Sequence, residues 1–166
     1  MADLPSKDDA AWLEALRGAH AARAELLWRV FDAIRQAHGA DDAERLVGGA
    51  CRAMGLSKRG RYLSYGADAS AGAFCTALVG HSEVAAALFD MERGPDDGPE
   101  STAILGRCVL VDGWRALGLP PDEIALLCRA AREIDHGTME SLGLEGRFDE
   151  LISEGGSRCR LVVRRA

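Results

Sequence analysis

The stretch from Arg107 to Cys159 holds the residues best placed to do chemistry: Cys108, Cys128, Asp135, His136 and Cys159. Cys108 lies beside Arg107, where an apolar segment gives way to a helical one. A thiol near a helix N-terminus and a cation has a lowered pKa, and the thiolate is a nucleophile or a metal ligand. Cys128 belongs to the apolar stripe Ile124, Leu127, Cys128, Ala131 and Ile134. Two helical turns on from Cys128 the same face carries Asp135. A carboxylate on a buried helix face is costly unless it is hydrogen-bonded or paired. If the helix stops earlier, Asp135 instead caps the turn His136-Gly137-Thr138-Met139. His136 does not share a helical face with Asp135, but it could act as a general base if the helix ends there. Otherwise it is an exposed loop histidine.

Cys159 alternates with Leu161 and Val163 on the inward face of a closing strand. Each cysteine alone could be a small buried hydrophobe. If Cys108, Cys128 and Cys159 converge with the carboxylate, the set would suit zinc or iron. If they are scattered, they are core residues. Lys58-Arg59-Gly60-Arg61 could bind an anion or form a solvated face. His20, His38 and His81 occupy surface or cap positions and receive no role.

The elements that must position these groups follow from periodicity. Ser6, with Asp9 three residues on, caps a helix. That helix carries Trp12, Leu13, Leu16, Leu27, Phe31 and Ile34 at helical spacing and stops at His38-Gly39. Its stripe fits a core, a homodimer seam or the partner face of an interaction subunit. Asp41 or Asp42 caps a second helix that ends at Gly55, and Gly48-Gly49 within it suggests close approach of another backbone. A short helix or turn spans Leu56–Gly66. Asp68 starts a small-residue helix through Val79, and Ser82 caps another toward Leu88.

The period then changes. Leu88–Arg93 alternates as a strand, Gly94–Pro99 reads as a turn, and Thr102–Leu105 returns as a second strand. Cys108–Leu117 is helical, and Pro121 with Asp122 and Glu123 opens the next helix. A second hairpin runs from Phe148–Ser153 through Gly155-Gly156 to Arg158–Arg164. The expected fold is α+β. A helical scaffold over residues 1–87 precedes a sheet and pocket half over 88–166, all in one domain. That half holds an antiparallel sheet of two hairpins with two helices between them.

At 166 residues the chain can bury a real core. A net charge of −6 argues against a nucleic-acid surface. The acidic start lacks a signal-peptide core, and no run is apolar enough to cross a bilayer. Five cysteines without a CxxC pair point to reduced thiols and a cytoplasmic setting.

The segments Gly106-Arg107-Cys108, Leu127-Cys128, Ile134-Asp135 and Glu154-Gly155-Gly156-Ser157-Arg158-Cys159-Arg160-Leu161-Val162 resemble the L-2-amino-thiazoline-4-carboxylic acid hydrolase family. The resemblance covers about Leu88 to Val163. It implies a fold related to 4-vinyl-reductase-type ligand-binding domains and the hydrolytic opening of a cyclic amidine-like substrate. Attack falls on the carbon between nitrogen and sulfur, by water or by a thiolate. The resemblance makes Cys108 a nucleophile or ligand, and gives Asp135 the task of activating water or holding the substrate's amino group. Cys128 and Cys159 would line the pocket or help bind a metal. Arg107 would pair with a substrate carboxylate, with Trp114 beside it as a substrate-binding residue. The alternative is a non-catalytic module of the same fold that holds a small apolar or haem-like ligand.

Overall fold

The computed structural model describes residues 10–166. The expected Ser6 cap lies outside them. Five helices come first: α1 (Ala10–His38), α2 (Ala40–Leu56), α3 (Arg59–Ser64), α4 (Ala71–Gly80) and α5 (Glu83–Phe89). Strands β1 (Met91–Asp97) and β2 (Glu100–Leu105) follow. Then come α6 (Val109–Ala116), α7 (Pro121–Ala131) and α8 (Glu133–Ser141), and the chain closes with β3 (Leu144–Glu150) and β4 (Cys159–Arg165). The fold is α+β, with helices first and one antiparallel sheet of order β1-β2-β4-β3. Two hairpins join side by side through β2 and β4, where Leu105 pairs with Cys159 and Ala103 with Leu161.

Several boundaries differ from the sequence expectation, each for a local reason. The Gly94–Pro99 turn is mostly strand. Only Gly98 and Pro99 make the turn, and the pairing of β1 with β2 slips between Arg93 and Asp96. Pro95 is tolerated because β1 is an edge strand, with no strand partner on its outer side among the described residues. Gly39, at φ 93°, precedes α2 without a side-chain cap, so Asp41 and Asp42 act on the helix dipole from within the first turn. Ser70 caps α4 through Ala73 N at 3.3 Å, and Ser82 caps α5 through Ala85 N at 3.2 Å. Asp68 sits further back, accepting from Ser70 N at 2.7 Å.

Three helices, not two, separate the hairpins. The expected single helix through Asp135 divides at Arg132. The chain stays near helical dihedrals there, but Asp135 N bonds the carbonyl of Arg132, a three-residue step that tightens the turn and starts α8. Asp135 therefore sits in the first turn of a new helix.

The core has two parts. One gathers Phe31, Val47, Val111, Trp114 and Leu127 from the helices. The other gathers Phe74, Met139, Leu161 and Val163 where helices meet the sheet. Phe148 packs against both. Buried Trp114 donates its indole N–H to the Ala24 carbonyl at 2.9 Å, so α6 is fixed on α1 without an orphaned donor. The expected close backbone approach occurs at Gly48, where a Cβ would lie 3.8 Å from the Ala130 Cα, and not at Gly49; a tighter one lies at Gly55. A Cβ there would lie 2.2 Å from the Ile134 carbonyl oxygen, and one at Gly137 would lie 2.2 Å from that of Arg52. Arg52 then fastens α2 to α8 through Glu133 at 2.8 Å and Glu140 at 2.7 Å.

Candidate functional site

Between the two core clusters lies a cavity of about 290 Å³. Its inner wall is apolar or weakly polar: Leu105, Leu110, Trp114, Phe148 and Leu161 line it together with Cys108, Cys128 and Cys159. The three cysteines come from separate elements. Cys108 caps α6, Cys128 is in α7, and Cys159 opens β4. Strand alternation and the helical stripe turn them inward, as their spacing suggested, and all three line the one cavity.

Asp135 also lines this cavity. It is partly buried, and among the described residues no side chain or backbone group hydrogen-bonds its carboxyl. Burial pushes its pKa up to about 6, with Lys58 and Arg23 pulling the other way. Lys58 precedes α3 and lines the same wall. Burial lowers its ammonium pKa, and the charge of Asp135 opposes that shift. Tyr62 stands close enough to feel Asp135, and burial raises its phenol first of all. At neutral pH the cavity thus holds one ionised carboxylate facing cations, in surroundings that exclude much of the water.

The helical half contributes more than scaffold. His20 and Arg23 of α1, Lys58, and Arg61 with Tyr62 of α3 all line the cavity, as does His81 after α4. The basic run is divided: Lys58 and Arg61 reach the cavity, whereas Arg59 donates to the Ser141 carbonyl. His20 packs edge-on against Phe89 with ring centroids 5.6 Å apart, and burial lowers its pKa. The ring of His81 is fixed. Its Nδ1 lies 2.9 Å from the Leu78 carbonyl and 3.1 Å from that of Ala77, so Nδ1 carries the proton, and the ring stacks on Tyr65 at 4.9 Å. His20 and Arg23 have a faint sequence signal, polar groups three apart at the edge of an inward stripe. Lys58 and Arg61 belong to the basic run that could bind an anion or form a solvated face, and for His81 the sequence carried no signal that separated it from surface residues.

Two expected site residues lie elsewhere. Arg107 bonds Asp112 at 2.7 Å, and both side chains are substantially open to solvent. The local acid turns it away from the cavity. His136 is absent from the cavity lining and packs edge-on against Phe148 at 6.2 Å, where burial lowers its pKa. Trp114 is in place, although its indole N–H is already committed.

The cysteines are not activated. Burial pushes the Cys108 thiol up to about 12, and the backbone N–H groups of α6 offset this only in part. Burial also raises Cys128 and Cys159. The lowered Cys108 pKa expected from Arg107 does not arise, because Arg107 is spent on Asp112. Among the described residues, no group of three or more His, Cys, Asp and Glu side chains could hold a metal ion. The thiols share a cavity without forming the ligand set that zinc or iron would need.

A sequence model of the L-2-amino-thiazoline-4-carboxylic acid hydrolase family matches residues 20–163 of this chain. A search of curated proteins found no match. Among solved structures the chain is similar to trafficking protein particle complex subunit 3 from Naegleria fowleri, covalently bound to palmitic acid. The TM-score is 0.55 at 15% identity, covering 87% of this chain and 95% of that one. At that identity the likeness is one of fold.

Proposed function

The chain belongs to the L-2-amino-thiazoline-4-carboxylic acid hydrolase family, and from that premise we propose that it hydrolyses a small cyclic amidine-like ring in this cavity. The observation that carries the reading is Asp135: a carboxylate on the cavity wall, without a hydrogen-bond partner among the described residues and with its pKa pushed up to about 6. That value leaves it mostly ionised at neutral pH yet basic enough to take a proton, the balance general acid–base catalysis favours.

Water adds through oxygen to the ring carbon between nitrogen and sulfur, and Asp135 takes its proton. The electrons of the carbon–nitrogen double bond move to the ring nitrogen, which receives that proton from Asp135. As the tetrahedral carbon collapses, Asp135 takes the remaining hydroxyl proton, the carbon–oxygen double bond forms and one ring bond breaks, either to nitrogen or to sulfur. The leaving heteroatom keeps the electron pair and receives this second proton from Asp135. Arg23, Lys58 and Arg61 are suited to hold a substrate carboxylate, and the apolar wall limits competing water. The raised Cys108 thiol favours water over a thiolate as the attacking group.

The test is turnover of L-2-amino-thiazoline-4-carboxylate by the wild type and by Cys108→Ser. Ring opening retained within about tenfold in Cys108→Ser supports attack by water, since loss of a true nucleophile costs many more decades. No ring opening by the wild type sinks the reading.

The second reading is a non-catalytic ligand carrier. Its support is the apolar wall beneath cationic residues, together with the palmitic acid held by the structural neighbour. It predicts an amphiphilic acid in organic extracts of the purified protein and a higher melting temperature when that acid is added back.

A further inference from the structure

The longest helix, α1, presents a face with no partner among the described elements. Ala15, Ala19, Ala22, Leu26, Val30, Ala33 and Ala37 are all exposed. Leu26 is 65% exposed and Val30 44%. At about 100° per residue these positions fall on a single line along the helix. An outward helix face ordinarily carries charge. Here the line itself carries no charge, and the solvent-accessible side chains of Glu14, Glu25 and Arg29 flank it on one side.

The order of this line is specific. Steps of four, three and four residues lead from Ala15 to Leu26, and four, three and four lead on to Val30, Ala33 and Ala37. The pattern reads the same in both directions from Leu26. A two-fold interface requires that kind of self-match, because the same patch serves both copies. We propose that α1 is the seam of a homodimer, with two copies packed antiparallel about Leu26.

In that arrangement Leu26 meets Leu26, Val30 meets Ala22, Ala33 meets Ala19, and Ala37 meets Ala15. Larger groups fill the centre, and alanines let the backbones close in toward both ends. Charge fits the same direction. Glu25 and Arg29 share one flank of the line, 3.2 Å apart within the helix. Antiparallel pairing brings Arg29 of one copy alongside Glu25 of the other, twice. Parallel pairing would put these two flanks on opposite sides of the seam, where they do not meet. A helix seam alone falls short of the roughly 800 Å² per partner of a stable interface. The helix packed beside α1, α2, also carries exposed Leu46 (44%) and Met54 (51%).

The test is sedimentation velocity of the full chain across roughly 1–100 μM, since dimer population follows protomer concentration. The expected result is a species of twice the chain mass that becomes a monomer in the double variant Leu26→Glu, Val30→Glu. Both side chains are exposed, so circular dichroism should remain that of the wild type. Cysteine cross-linking under mild oxidation gives the direction and does not depend on that variant folding. Leu26→Cys should link to itself. Ala15→Cys should link only when mixed with Ala37→Cys. A wild-type monomer throughout, a dimer that survives both glutamates, or Ala15→Cys linking to itself would each overturn the proposal.

Discussion

Lys58 and Asp135 oppose each other electrostatically on one cavity wall without a hydrogen bond between them. Burial drives each toward its neutral form, and each charge holds the other back. A pair in this state can exchange a proton with a ligand at modest cost, unlike a hydrogen-bonded salt bridge whose charges are already satisfied. Activity should therefore rise with pH through a single ionisation near 6, the value burial gives Asp135. Lys58→Gln removes a cation that lowers this pKa, so the inflection should move to higher pH. A pH–kcat/KM profile of both proteins reads the shift and its sign.

The same carboxyl makes a stability prediction. Its folded pKa lies above the unfolded value, so the folded state holds the extra proton between roughly pH 4 and 6. Stability from this group is present below the unfolded pKa and is lost as pH rises through about 6. At neutral pH Asp135→Asn should then be more stable than wild type, on the order of 1–3 kcal/mol. The gap should close near pH 4. Urea titrations at the two pH values measure it, and a variant less stable at both would contradict the cost assigned to burying this carboxylate.

The inward facing of Cys108, Cys128 and Cys159 was legible in the sequence, because strand alternation and helical spacing both encode facing; that they meet Asp135 on one cavity was not, since facing does not say which elements pack together. The break at Arg132 was not. It involves no proline or glycine, only a shorter hydrogen-bond step that leaves Asp135 on the cavity side. The polar half of the site was hidden for a different reason. Lys58 and Arg61 look like a solvated run, and only the packing of α3 beside α4 turns them inward. For Arg107 the sequence left a site cation and a surface charge equally open, and its bond to Asp112, five residues on, holds it at the surface.

The thiols should prove inert. All five cysteines are free, and burial raises the pKa of each one. Titration with an aromatic disulfide at neutral pH should find no fast-reacting thiol in the native protein and all five after denaturation. A single fast thiol assigned to Cys108 would restore it as a nucleophile.

The α2–α8 contact should tolerate no side chain. Gly55→Ala sets a Cβ against the Ile134 carbonyl of the helix that carries Asp135. Overpacking against backbone costs about 1–3 kcal/mol or more. Gly49→Ala meets open space in the same helix and should be neutral or slightly stabilising. Thermal melts of the two variants give the comparison. Gly55→Ala should also lower turnover, by shifting α8 and with it the carboxyl.

The most direct test of the central claim is turnover of L-2-amino-thiazoline-4-carboxylate by Asp135→Asn, measured beside its melting temperature. The account predicts that kcat falls by about a hundredfold or more, as loss of a general base does, in a protein that melts no lower than wild type. Turnover within a few-fold of wild type, from a folded variant, would contradict it.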